Sequence, residues 1–114
     1  MKGVVYCNGV QAGILEKTIT RGYRFAYDDS YLENTSNPPI SLTLPKTNVA
    51  YHSDVLFPFF FGLLSEGVNK EIQCRLLKID EDDDFGRLLL TSAEDNIGAI
   101  TVKKLEEWNV KDVI

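Results

Sequence analysis

The sequence predicts an α+β fold, a small twisted antiparallel sheet or partly closed barrel of about five strands packed with two to three helices. Three observations predict it. Asn8-Gly9 joins two β-rich segments, the aromatics Tyr23, Phe25 and Tyr27 recur at every second residue, and the window Phe57–Gly67, read with Val55 and Leu56, is apolar all round. Asn-Gly between apolar runs signals a two-residue hairpin. Aromatics at period two signal a strand with one buried side. A helix without a polar face must be covered by other elements, so the Phe-rich window is the expected central buried helix, the alternative being that some part of it is an exposed patch for a partner. Each of its phenylalanines removes roughly 150–250 Å² from water on burial.

Taken in order, Lys2–Cys7 and Val10–Lys17 are the strands of the hairpin, with Val10, Ala12 and Ile14 expected on one face. Gly22–Tyr27 adds a third strand whose aromatics face the core. Asp28–Pro39, rich in Asp, Ser, Asn and Pro, is a loop, with Tyr31 and Leu32 in one helical turn tucked beneath the sheet. Ile40-Ser41-Leu42-Thr43-Leu44 alternates, which predicts a fourth strand with Ile40, Leu42 and Leu44 inward and Pro45 as its stop. Lys46–His52 is a polar loop, after which Ser53 or Asp54 caps the central helix. That helix runs to about Leu64 and ends at Ser65-Glu66-Gly67, with Gly67 in the left-handed turn.

Val68–Lys78 is an amphipathic second helix with Val68, Ile72, Leu76 and Ile79 on its apolar side. A third helix through Phe85, Leu88, Leu89 and Leu90 starts at the end of the acidic run Asp80–Asp84, since carboxylates favour the positive end of a helix. Ile97–Val102 is the closing strand, and 103–114 is a polar tail with Trp108, Val110 and Val113 as its docking residues.

A chain of 114 residues is expected to form one domain spanning 1–114, large enough to bury a core without disulfides or metal. The net charge of −5 leaves no basic footprint, so no direct nucleic-acid binding is expected. No membrane span is expected either, because an apolar run of about ten residues falls well under the roughly 18 required. The N-terminus offers neither a signal core nor a cleavage motif. A cytoplasmic protein is therefore expected, with Cys7 and Cys74 reduced and, lacking CxxC spacing, serving as small buried hydrophobes.

No catalytic or metal-binding pattern emerges. An EF-hand needs oxygen ligands at positions 1, 3 and 5, Gly at 6 and Glu at 12. Counted from Asp80, position 6 is Phe85 and position 12 is Thr91; counted from Glu81, Gly86 fits but Phe85 and Ser92 occupy positions 5 and 12. His52, next to Tyr51 in a polar loop, is the only histidine, with no obvious Cys or Ser nucleophile to activate and no second histidine with which to form a zinc site. The glycines form neither GxGxxG nor a Walker loop. No cofactor, no metal and no enzymatic activity are expected.

The order of landmarks is more specific than any single one. Asn8-Gly9 and Gly13-Ile14-Leu15 are followed by Phe25-Ala26-Tyr27-Asp28, Tyr31-Leu32, Pro39-Ile40-Ser41-Leu42-Thr43-Leu44-Pro45, Phe59-Phe60-Phe61-Gly62-Leu63-Leu64-Ser65-Glu66-Gly67 and Ile97-Gly98-Ala99. Over roughly residues 3–103 this set resembles the N-terminal subdomain of HipA-type serine/threonine kinase toxins. The chain departs from that family in having Ser65 where Pro usually precedes Glu-Gly, and Ala93-Glu94-Asp95-Asn96 where a Gly-Gly-Asp-Cys-like segment usually leads to the last strand.

In that family the nucleotide-binding and catalytic residues lie C-terminal to this subdomain. The resemblance therefore implies a split arrangement similar to three-component HipBST-type systems. There, a small non-catalytic protein acts as antitoxin or regulatory subunit toward a separately encoded HipA-like kinase core, and a helix-turn-helix protein handles DNA in the same complex. The alternative is a structural subunit that completes the split kinase and is required for its activity. Binding tends to be placed on loops of a rigid scaffold. The candidate partner-binding residues are thus Lys46, Asn48, Tyr51 and His52 at one end of the central helix and Ser65, Glu66 and Gly67 at the other. Tyr51 is the expected anchor and Glu66 a rim charge.

Overall fold

The Asn-Gly pair makes the turn its chemistry demands. In a computed structural model describing residues 1–19, 22–64, 71–72, 74–76, 78, 80, 83–95 and 99–105, with backbone alone over 90–95, strands β1 (Lys2–Cys7) and β2 (Val10–Lys17) pair antiparallel. Between them Asn8 and Gly9 have φ values of 53° and 82°, the left-handed pair that a two-residue hairpin turn requires. β3 (Tyr23–Tyr27) pairs with β2, β4 (Tyr51–Ser53) with β3, and β5 (Ile100–Lys104) with the other side of β1. The result is an open five-stranded antiparallel sheet in the order β4-β3-β2-β1-β5, not a closed barrel. Helices α1 (Asp29–Glu33), α2 (Pro58–Phe61) and α3 (Asp84–Asp95) complete an α+β fold, and residues 71–72 and 74–76 are also helical.

Directly paired residues share a face of a sheet, so the register assigns the core. Val5, Cys7, Leu15, Phe25, Tyr27, Ile100 and Val102 form the buried inner face. Phe60, Phe85, Leu88 and Leu89 pack into the same cluster. The outer face carries the cross-strand row Lys2, Glu16, Arg24 and His52. Val10, Ala12 and Ile14 do not share one face. A register shift between Val5 and Tyr6 makes Ala12 the extra residue of a β-bulge, which reverses the alternation. Ala12 and Leu15 are consequently buried, while Ile14 lies beside Val4 and Ala26 on the outer face and Val10 is exposed at the turn.

The strand expected at Ile40–Leu44 is a tight turn instead. The Leu44 N–H donates to the Ser41 carbonyl at 3.1 Å, and the Ser41 hydroxyl accepts from the Thr43 N–H at 3.1 Å. Ile40 and Leu44 are both buried at its ends, and Leu42 stands at the tip, 95% exposed. Short-range side-chain bonding by Ser favours this turn over an extended ladder. The fourth strand is supplied by Tyr51–Ser53, out of the segment expected to be loop and cap.

The central helix is shorter than expected. Pro58 sits at the first helical position, where its missing N–H goes unnoticed, and Phe57 rather than Ser53 or Asp54 precedes it, with no side-chain cap. The Ser53 hydroxyl instead accepts from the Val55 N–H at 3.3 Å. The window is not buried all round either. Leu56, Phe57, Phe60 and Leu64 enter the core, whereas Val55 and Phe61 are 67% and 44% exposed. A helix this short, lying on one layer, buries one stripe only.

α3 starts as its acidic approach predicts. The Asp83 carboxylate accepts from the Gly86 N–H at 2.9 Å, an N-cap bond, and Phe85, Leu88 and Leu89 are buried. Within 71–76 the expected apolar side faces outward: Ile72 and Leu76 are exposed and Cys74, two residues from each, is the side chain taken into the interior. The closing strand lies a few residues later than Ile97–Val102 and takes in Lys103 and Lys104 from the expected tail. Gly67, Val68, Ile79, Ile97, Trp108, Val110 and Val113 lie outside the described residues, as does the expected end of the central helix.

Candidate interaction surface

The outward stripe of α2 lines a groove on the surface. Phe57, Phe60 and Leu64 recur at helical spacing and point inward, so Pro58, Phe61 and Gly62 fall outside. Phe60 holds the element in place, its ring centroid 5.3 Å from Phe59, 5.7 Å from Phe25 and 6.2 Å from Phe57. The chain leaving β4 brings Val55 and Leu56 alongside, and the start of α3 brings Asp84. Together these six residues line a groove of about 370 Å³.

Among the described residues its walls are mainly apolar side chains, and the one charged residue lining it is Asp84. An Asp84 carboxylate oxygen lies 3.5 Å from the guanidinium of Arg87, which is 1% exposed, while Asp84 itself is 33% exposed. Nearby, the Tyr23 ring meets Phe85 edge-on at 5.8 Å. Burial first, and then the charges of Asp84 and Asp83, push the Tyr23 phenol above its ordinary value. The Asp84 carboxylate thus faces this end of the groove with the buried Arg87 guanidinium beside it.

The four described residues expected to bind a partner do not converge. Lys46 is used internally, donating to the carbonyls of Asn34 at 3.1 Å and Asn37 at 2.8 Å, with its ammonium 5.6 Å from the centroid of the Tyr31 ring. Tyr51 lies half-buried against the core and donates to the Pro45 carbonyl at 2.6 Å. His52, the next residue of β4, is exposed on the opposite face beside Arg24. Asn48 is exposed in the preceding bend. Ser65, Glu66 and Gly67 lie outside the described residues. The alternative of an exposed patch within the Phe-rich window thus holds for Val55 and Phe61, whereas Asp84 carries no such mark in the sequence; the signal that singles out Phe61 is Pro58, which sets the phase of α2 and hence the outward stripe.

Among the described residues no three His, Cys, Asp or Glu side chains come together in a way that could hold a metal ion. Cys7 and Cys74 are both buried and not disulfide-bonded. No described helix is long and apolar enough to cross a membrane.

The model of the HipA N-terminal domain family matches residues 4–103. An uncharacterized protein of Haemophilus influenzae is 35% identical over 102 residues, which cover 90% of this chain and 91% of that one. Among solved structures, the N-terminal domain of HipA toxin is similar with a TM-score of 0.69 and 31% identity, covering 94% of each chain.

Proposed function

This chain belongs to the HipA N-terminal domain family, and from that premise we propose that it is a non-catalytic regulatory subunit, an antitoxin, that binds a separately encoded HipA-like serine/threonine kinase core in the cytoplasm. The observation that carries this reading is the exposed apolar groove. Val55 and Phe61 hold large apolar surface in water on a fold whose other phenylalanines are mostly packed inside, and clustered apolar exposure marks protein interfaces. The Haemophilus relative adds support: the alignment spans 91% of its length, which leaves no room there for a kinase core in the same chain. In this reading a helix-turn-helix protein carries the DNA contacts of the complex.

Growth of cells expressing the HipA-like kinase, with and without this chain, tests the proposal. Rescue of growth on co-expression is the expected result. Toxicity that appears only on co-expression overturns it in favour of a subunit that completes the kinase.

A further inference from the structure

Resting on the reading of the chain as a kinase-binding subunit, we infer that the groove between α2 and the start of α3 receives a segment of the kinase chain presenting one apolar side chain beside a lysine or arginine. The size of the groove limits the occupant. At about 370 Å³ it lies at the lower end of the roughly 300–1,000 Å³ typical of ligand pockets, room for one anchoring side chain. Its walls select the chemistry of the anchor: Val55, Leu56, Pro58 and Phe61 present apolar side chains. Filling a desolvated apolar pocket with one large side chain is the usual form of an interface hot spot.

Charge complementarity supplies the second half. Among the described residues Asp84 is the only ionic group on the lining, and Asp83 precedes it at the cap of α3. The Asp84 to Arg87 separation of 3.5 Å is longer than the roughly 2.7–2.9 Å of a strong charge-assisted bond, so the buried arginine leaves that carboxylate with capacity to accept from an incoming cation. A purely apolar occupant would cover Asp84 without replacing its water, which is unfavourable. A phosphate or acidic segment would meet the Asp84 carboxylate, on a chain that as a whole carries −5. A lysine or arginine next to the anchor satisfies Asp84, fixes the direction of the segment and speeds encounter at low salt.

The test is calorimetric titration of the purified kinase with the parent chain and with Phe61→Ser, Val55→Asp, Asp84→Asn and Ile14→Lys, each first shown to melt as the parent does. The expected result is parent binding, weakened at least about tenfold by Phe61→Ser and by Val55→Asp. Asp84→Asn should weaken binding severalfold and flatten its salt dependence, while Ile14→Lys, on the outer face of the sheet, should leave affinity unchanged. Parent-like binding by Phe61→Ser and Val55→Asp overturns the groove inference and leaves the subunit reading standing. Failure of the parent itself to bind overturns both. An unchanged salt dependence in Asp84→Asn overturns the cationic half, and a parent dimer that Phe61→Ser dissociates, with no change in kinase affinity, assigns the groove to a second copy instead.

Discussion

Tyr27 donates its hydroxyl hydrogen to the carbonyl of Leu44, and the same oxygen accepts the Ile40 N–H at 3.1 Å. One side chain of β3 thus clips together both ends of the Ile40–Leu44 turn, deep enough that Ile40 and Leu44 are 5% and 4% exposed. Tyr27→Phe keeps the ring and leaves a buried N–H and a buried C=O without their partner. A loss of about 1–3 kcal/mol is expected, read by urea denaturation. A midpoint equal to the parent's would show that the clip contributes nothing.

The same tyrosines make the fold sensitive to alkali. The phenols of Tyr23, Tyr27 and Tyr31 are all pushed above the ordinary value of 10.0, chiefly by burial. A raised folded value means that the neutral phenol is favoured in the native state, so this contribution is intact below pH 10.0 and is lost as pH rises from there through the folded values. Stability measured between pH 8 and 11 should therefore stay level and then fall, and Tyr27→Phe should make the fall shallower. A stability that rises above pH 10 would contradict the burial of these rings.

Phe60 has no exposed surface and touches the rings of Phe25, Phe57 and Phe59. Phe60→Ala should cost about 3–5 kcal/mol, a large share of the roughly 5–15 kcal/mol that holds a typical domain together. The thermal midpoint should drop by roughly 10 °C or more. Phe61→Ala, one residue along and 44% exposed, should shift it far less, and equal shifts for the two would refute the assigned phase of α2.

A double-mutant cycle probes the start of α3. A methyl group on Gly86 would fall on the Asp83 carboxylate that caps the helix. Asp83→Ala should cost about 1 kcal/mol. Gly86→Ala displaces the cap while gaining helix propensity of up to about 1 kcal/mol, so alone it should be nearly neutral. In the Asp83→Ala background it should become stabilising. Strict additivity of the two changes would mean that the cap bond does not exist in solution.

Local chemistry made part of this fold legible in the sequence and long-range chemistry hid the rest. Asn8-Gly9 encodes its turn within two residues, and Tyr23, Phe25 and Tyr27 encode their face by alternation, so hairpin and third strand could be read directly. Ile40 and Leu44 point inward in a strand and in a tight turn alike; the Ser41 bonds favour the turn locally, and the Tyr27 hydroxyl, thirteen and seventeen residues away, holds both its ends. Lys46 looked available for a partner because Asn34 and Asn37, whose carbonyls it serves, carry no sequence mark of that role. The groove was hidden for a related reason. The Phe-rich window allows burial throughout or an exposed patch over part of it, and which residues fall outside depends on Pro58, which sets where the helix begins and puts Phe61 on the outside with Val55 beside it.

The most direct measurement of the central claim is phosphorylation by the purified HipA-like kinase as this chain is titrated in. If the chain is a regulatory antitoxin subunit, kinase activity falls toward background as the ratio approaches one chain per kinase. Activity that is unchanged, or that rises as the chain is added, would contradict it.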